Sequence, residues 1–88
     1  MSNLMSGCYY FGNGNLVRIS GINKNNRHKK NYRVFLANYD PELGEWGMKD
    51  VKYSEAESLL GAKPKKISKN EAMGISGLLR DRYVKEQA

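Results

Sequence analysis

Residues 32–53, YRVFLANYDPELGEWGMKDVKY, place two β-prone runs on either side of a turn in this 88-residue chain. The first run, residues 32–39, is rich in β-branched and aromatic residues, and both of its faces carry apolar groups. Pro41 presets the φ angle that the second position of a tight turn needs, and Gly44 tolerates the left-handed region. The stretch therefore predicts an antiparallel hairpin whose first strand is central in a sheet.

A second hairpin is predicted nearer the start of the chain. Residues 8–11 and 16–20 are β-prone, and Gly12-Asn13-Gly14-Asn15 separates them. Asn-Gly is a strong hairpin signal because both central residues of the turn take positive φ. A phosphate-binding glycine loop would need a longer spacing and a helix directly after it.

Two capping boxes predict two helices. Ser54 with Glu57 begins a short helix that ends at Leu60 before Gly61, and residues 68–71 (SKNE) begin a longer helix that we extend to about Lys85. One stripe of the longer helix is expected to face the sheet: Ala72, Ile75, Leu78, Leu79 and Tyr83. The predicted fold is α+β in one small domain, with an antiparallel sheet of about four strands in two hairpins, a short helix and a longer C-terminal helix.

Residues 32–60 resemble the arm-type DNA-binding domains of lambda-like tyrosine integrases in their order of strand, Asp-Pro-x-x-Gly turn, strand and capped helix. The resemblance implies a three-stranded sheet that is backed by one helix and enters the major groove of DNA. That family's turn is typically followed by a basic residue, whereas Glu45 follows Gly44 here. No binding residue is assigned from the resemblance.

Charge is segregated along the chain, whose net charge is +6. Residues 1–39 hold six Lys/Arg and no acid, residues 40–62 hold two Lys and six acids, and residues 63–88 hold seven Lys/Arg and three acids. If the basic ends meet in the fold, one face attracts anions.

The longest basic segment is residues 21–33, GINKNNRHKKNYR, which contains a connection at residues 21–31 without hydrophobic periodicity. Its cations either contact phosphates or form a solvated loop, and the lack of acids through residue 39 favours phosphate binding. His28 is interpreted as a surface residue. We predict that the ligand-binding residues are those of this segment together with Arg18, which precedes it: Arg18, Lys24, Arg27, Lys29, Lys30, Tyr32 and Arg33.

A second basic group, Lys65, Lys66 and Ser68, precedes the longer helix. A helix N-terminus favours anions through its free amides, so these residues are also predicted to bind phosphate, with a plain basic linker as the alternative. Among the aromatic residues, Tyr32 and Tyr10 are the candidates to stack on bases, although core or oligomer packing is equally natural for them. Gly74 and Gly77 inside the longer helix suggest the close approach of a strand, a partner helix or a ligand.

Several classes of function have no support in the sequence. Glu42, Glu45 and Asp50 lack an accompanying nucleophile or second histidine, and we expect no enzyme activity, metal or cofactor. No apolar run approaches the length of a membrane-spanning helix, and the lone Cys8 suits a reducing compartment, so we expect a cytoplasmic protein with no membrane partner.

The sequence thus predicts a non-enzymatic basic protein, forming a homo-oligomer, that recognises a phosphate-bearing ligand, either nucleic acid or a signalling nucleotide. The alternative is a phage-type inhibitor or protein-interaction module that binds the acidic surface of a host protein. Sequence alone leaves this choice open, because both use the same basic charge.

Overall fold

The computed structural model describes residues 3–87 as a five-stranded antiparallel sheet with two helices, and the α+β prediction is confirmed. The order of strands across the sheet is β4-β3-β2-β1-β5. Along the chain the elements are β1 (Tyr9–Gly12), β2 (Asn15–Asn23), a 3₁₀ turn (Lys29–Asn31), β3 (Arg33–Asp40), β4 (Glu45–Lys52), α1 (Tyr53–Leu60), β5 (Lys65–Ile67) and α2 (Lys69–Gln87).

Both predicted hairpins are present, with the expected turn chemistry. In the β1–β2 turn, Asn13 and Gly14 have φ angles of 50° and 77°, as an Asn-Gly turn requires. In the β3–β4 turn, Gly44 has a φ of 68° and donates its N–H to the carbonyl oxygen of Asp40 at 2.8 Å. The turn residues therefore set the register of both hairpins.

The fifth strand was not predicted. β5 consists of three residues, two of them lysines, and it pairs antiparallel with β1 so that Ile67 lies opposite Tyr9. A run this short has no periodicity that distinguishes a strand from a linker. It forms because β1 would otherwise be an uncovered edge next to the start of α2, and Ile67 becomes buried there.

The helices pack on opposite faces of the sheet and so make two cores. α1 covers one face with Tyr53, Ala56 and Leu60, and α2 covers part of the other face with Ala72. Sheet residues buried on the α1 face include Tyr10, Val17, Ile19, Val34 and Leu36, and those buried on the opposite face are Leu16, Ala37 and Ile67. Neighbouring residues of β3 thus point to different layers, which agrees with its predicted central position.

The cap of α1 differs from the prediction, whereas the cap of α2 agrees with it. α1 begins at Tyr53, and the Glu55 carboxylate accepts the N–H of Lys52 at 3.3 Å, so Ser54 and Glu57 do not form the capping box. The helix starts early because the buried Tyr53 also donates its N–H to the carbonyl oxygen of Tyr32 at 2.7 Å. At α2, Ser68 and Glu71 cap each other as predicted.

Two tyrosine hydroxyls hold the segment that precedes β1. Leu4 donates its N–H to Tyr53 Oη at 2.8 Å, and Met5 donates its N–H to Tyr10 Oη at 2.9 Å. Burial raises the pKa of Tyr10 above its ordinary value of 10.0, against the opposing effect of the hydrogen bond from Met5. Because the unfolded chain then ionises first, this group lowers stability only as the pH rises above about 10.

Replacing Tyr53 with phenylalanine is expected to lower the free energy of unfolding by about 1–2 kcal/mol, because the buried N–H of Leu4 loses its acceptor. The ring and its packing remain. Urea denaturation of the variant and the parent gives the difference. A matched control is Tyr83→Phe, at a half-buried tyrosine of α2 without a hydrogen bond to residues 3–87. Equal losses from both variants would contradict the role of the Leu4 bond.

Candidate functional site

The basic connection between β2 and β3 is shorter than predicted and has its own hydrogen bonds. β2 continues to Asn23, so residues 21–23 belong to the sheet rather than to the loop. Asn23 Oδ1 accepts the N–H of Asn25 at 2.9 Å, and Asn26 Oδ1 accepts the N–H of His28 at 3.1 Å. These asparagine oxygens therefore order the connection itself.

Lys29 is held by the rest of the chain. Its Nζ lies 2.6 Å from Asn3 Oδ1 and 4.9 Å from the centroid of the Tyr53 ring. The 3₁₀ turn that carries Lys29 packs on α1, so this ammonium covers the start of that helix. Lys29 therefore has a structural role that its place in a run of cations did not indicate.

The other three cations of the connection point into solvent. Lys24, Arg27 and Lys30 are exposed, and within residues 3–87 their side chains make no hydrogen bond or ion pair. Cations that have no carboxylate beside them keep their full attraction for an anionic ligand. We call these three residues the loop cations.

Arg18 and Arg33 lie on the sheet, on the face opposite α1. Arg33 Nε is 3.0 Å from Asp50 Oδ1, and its Nη2 donates to the carbonyl oxygen of Asp50 at 3.1 Å. Arg18 lies 5.9 Å from the centroid of Tyr9 and bonds Ser20 Oγ at 3.3 Å. Arg33 is thus held in position with its charge neutralised, while Arg18 has no carboxylate partner among the described residues.

These arginines border an uncovered part of the sheet. α2 covers only the end of this face near the β3–β4 turn, since Arg80 Nη1 donates to the carbonyl oxygens of Pro41 and Glu42 at 2.7 Å and 2.6 Å. Toward the basic connection the face is open. We call this region the open face, and its residues are Arg18, Ser20, Arg33, Phe35, Met48 and Asp50.

The open face carries two exposed apolar side chains, Phe35 at 41% and Met48 at 67% exposure. Phe35 lies opposite Gly21, where a side chain is absent; a Cβ at Gly21 would stand 4.0 Å from Phe35 Cδ2. The ring thus lies beside the glycine backbone, which places no side chain against it. Phe35 shares a face of β3 with Arg33, away from the buried Val34 and Leu36, and it is not among the predicted binding residues.

Of the two predicted stacking tyrosines, Tyr10 is wrongly assigned. It is only 3% exposed and belongs to the core under α1, so its ring has no free face for a base. Tyr32 directly precedes β3, is half-buried and meets Tyr53 edge to face at 6.3 Å. Phe35 is the aromatic residue that the open face exposes.

The second basic group lies apart from the loop cations. Lys65 and Lys66 are exposed on the edge strand β5, and Lys66 Nζ lies 3.9 Å from Met5 Sδ. The Ser68 hydroxyl accepts the N–H of Glu71 at 3.1 Å, and the Glu71 carboxylate accepts the N–H of Ser68 at 3.2 Å. The capping box thus engages two of the amides at this helix N-terminus, those of Ser68 and Glu71.

The two basic groups lie apart both along the strands and across the sheet. Across the sheet, Lys66 of β5 lies in the same row of paired residues as Asn38 of β3. The last paired row before the connection contains Arg33, which is five residues from Asn38 along β3. That is about 16 Å along the strands, and β5 lies two strands, about 10 Å, from β2. The loop cations and the two lysines of β5 therefore do not form one continuous patch.

The close approach predicted at the α2 glycines does not occur within residues 3–87. A Cβ on Gly74 or Gly77 would meet no atom within 4 Å. The close approach occurs instead at Gly12, where the backbone at the end of α1 lies so near that a Cβ would collide with the carbonyl oxygen of Leu60. The cost of two glycines in α2 is not explained by contacts with this chain's own sheet.

The described residues were also compared with the requirements of a metal site and of a membrane-spanning helix. Across residues 3–87 no group of three His, Cys, Asp or Glu side chains is placed to hold a metal ion. In the same part of the chain no helix is long and apolar enough to cross a membrane. Comparisons with protein families, curated proteins and solved structures find no match to this chain.

Proposed function

We propose that this protein binds single-stranded nucleic acid on the open face, without catalysing a reaction. The observation that carries the proposal is the exposed Phe35, which lies on an uncovered part of the sheet with Arg33 and Arg18 in neighbouring rows and the loop cations at the end of the same strands. Sheets that present aromatic rings beside cations bind unpaired bases by stacking, with phosphates held by the cations.

The neighbouring strands favour a base against Phe35. Gly21 places no side chain against the ring, and the exposed side chain of Met48 adds apolar surface on β4. Stacking of one base on an aromatic ring contributes about 1–3 kcal/mol. Because a duplex keeps its bases stacked on each other, this surface selects unpaired strands.

Charge on this surface indicates an extended strand rather than a mononucleotide in a pocket. The cations without a carboxylate partner among residues 3–87 include Arg18 on β2, Lys52 at the end of β4 and the loop cations beyond Asn23, so they follow the strands outward. Asp50 neutralises Arg33 and would repel a phosphate placed directly above it. Phosphates are expected on either side of the Phe35 row, with the Arg33 plane available to a base edge.

The test is fluorescence anisotropy with a labelled oligothymidine, comparing the parent with Phe35→Ala. We expect the variant to bind at least about fivefold and up to about 150-fold more weakly, which corresponds to the loss of one stacked base. The melting temperature should change little because Phe35 is exposed. A control is Leu43→Ala, which removes a 64% exposed apolar side chain in the β3–β4 turn, away from the open face.

Equal affinities for oligothymidine in the parent and Phe35→Ala would reject stacking on the open face. Stronger binding of a duplex than of the single strand would instead favour insertion of the sheet in a groove. If neither strand form nor any nucleotide binds, the protein-interaction alternative gains support, since Phe35 and Met48 also suit a protein partner with an acidic rim. The proposal includes a cytoplasmic location, where unpaired nucleic acid is present and Cys8 stays reduced.

A further inference from the structure

α2 is the less covered of the two helices. Of its 19 residues only Ala72 is buried, and Leu78 is 70% exposed near the middle of the helix. The hydrogen bonds of Arg80 to the β3–β4 turn fix the direction of the helix across the sheet. One long side of a fixed helix is therefore open to solvent.

A groove runs along this open side. Its volume is about 690 Å³, with Phe11 on the sheet and Ile75, Leu78 and Leu79 on the helix as the apolar lining. Charged side chains of the last two turns complete it, namely Asp81, Arg82, Lys85 and Glu86. Gly74, one turn before Leu78, leaves open space beside the groove. The groove thus offers an apolar stretch beside the middle of α2 and charged side chains toward its C-terminus, a lining that suits an amphipathic helix.

Three residues of α2 repeat at intervals of seven on this side: Glu71, Leu78 and Lys85. Residues seven apart lie on nearly the same side of a helix, about 10.5 Å apart along its axis. The stripe is therefore acidic at one end, apolar in the middle and basic at the other end. Such a stripe is complementary to a second copy of itself that runs in the opposite direction.

We propose that the groove is occupied by α2 of a second copy of this chain, antiparallel to the first, with Leu78 facing Leu78 on a twofold axis. In this register Glu71 of each copy faces Lys85 of the other copy, which makes two symmetric ion pairs. A parallel arrangement would instead place Glu71 against Glu71 and Lys85 against Lys85. Charge complementarity thus selects both the occupant and its direction.

This homodimer is independent of the proposed nucleic-acid binding, because the groove residues lie on α2 and on Phe11 and none belongs to the open face. The proposed dimer is tested by measuring the molecular mass of the protein in solution. Sedimentation equilibrium of the full chain without nucleic acid is expected to show a dimer. A parent that is monomeric throughout the micromolar to millimolar range would overturn the proposal.

A charge exchange tests the register. Lys85→Glu should raise the dimer dissociation constant at least about tenfold, because each Glu71 then faces a carboxylate instead of an ammonium, and Glu71→Lys should do the same by opposing two ammonium groups. Mixing the two variants should restore a heterodimer, because opposite charges then face each other within each pair. Circular dichroism checks the helix in Glu71→Lys, which also loses the capping carboxylate.

Two further results complete the test. Leu78→Asp should give a monomer, whereas Val84→Glu, at an exposed position of α2 outside the groove, should leave the dimer unchanged. A dimer that resists Lys85→Glu and Leu78→Asp but is lost in Val84→Glu would place the interface on another side of the helix and overturn the assignment. Failure of the mixed variants to associate while the parent dimerises would also overturn the antiparallel register.

Discussion

Replacing Gly12 with alanine is expected to destabilise the fold by about 3 kcal/mol, which is a large part of the stability of a domain this small. A Cβ at this position would collide with the carbonyl oxygen of Leu60, and it would lie 3.1 Å from the carbonyl carbon of Leu60 and 3.2 Å from Pro64 Cα. All three atoms belong to the backbone, so no side-chain rotation relieves the contact. The end of α1 and the chain leading into β5 would both have to move.

Urea denaturation of Gly12→Ala against the parent measures this loss. Gly77→Ala is the control, because its Cβ would meet no atom within 4 Å and alanine favours a helix interior by about 1 kcal/mol over glycine. We expect the two substitutions to act in opposite directions. A Gly12→Ala protein as stable as the parent would show that α1 does not close on the β1–β2 hairpin as described.

Local turn chemistry explains why the sequence predicts both hairpins. Asn13 and Gly14 favour positive φ whatever surrounds them, and Gly44 does the same after Pro41. The alternation of Val34 and Leu36 with Phe35 likewise needs only the period of a strand. Features of this kind depend on near neighbours in the chain, so they can be read without the fold.

Features that depend on distant residues were not predicted. β5 is a strand only because β1 lies beside it, and α1 begins at Tyr53 because Tyr32, far earlier in the chain, accepts its N–H. Gly12 is decisive because Leu60 happens to end α1 against it. No pattern within a short window contains these contacts.

The candidate site shows the same division between residue type and residue partner. The sequence shows which residues are positively charged but not what they contact. Lys29 is held by Asn3 and Arg33 by Asp50, and neither partner is near in sequence. Phe35 could have been selected, because its side chain is on the face of β3 opposite Val34 and Leu36. Its exposure depends on α2 stopping short of it, which the sequence does not reveal.

Replacing Lys24, Arg27 and Lys30 together with alanine is expected to weaken oligothymidine binding about a hundredfold at low salt. It should also make the dependence of log affinity on log salt less steep by about two, since each phosphate contact to a single strand contributes about 0.7. The physical reason is that exposed cations without carboxylate partners release counterions from the strand when they bind it. Anisotropy titrations over a range of salt concentrations measure both quantities.

The second basic group offers a matched control for this variant. Replacing Lys63, Lys65 and Lys66 with alanine also removes three positive charges, and two of these lysines, Lys65 and Lys66, lie on β5, about 16 Å along the strands from the connection. If binding follows the position of the cations, this control keeps the parent's salt dependence and most of its affinity. If both triple variants lose affinity equally, net charge rather than the open face attracts the strand, and the assignment of the loop cations fails.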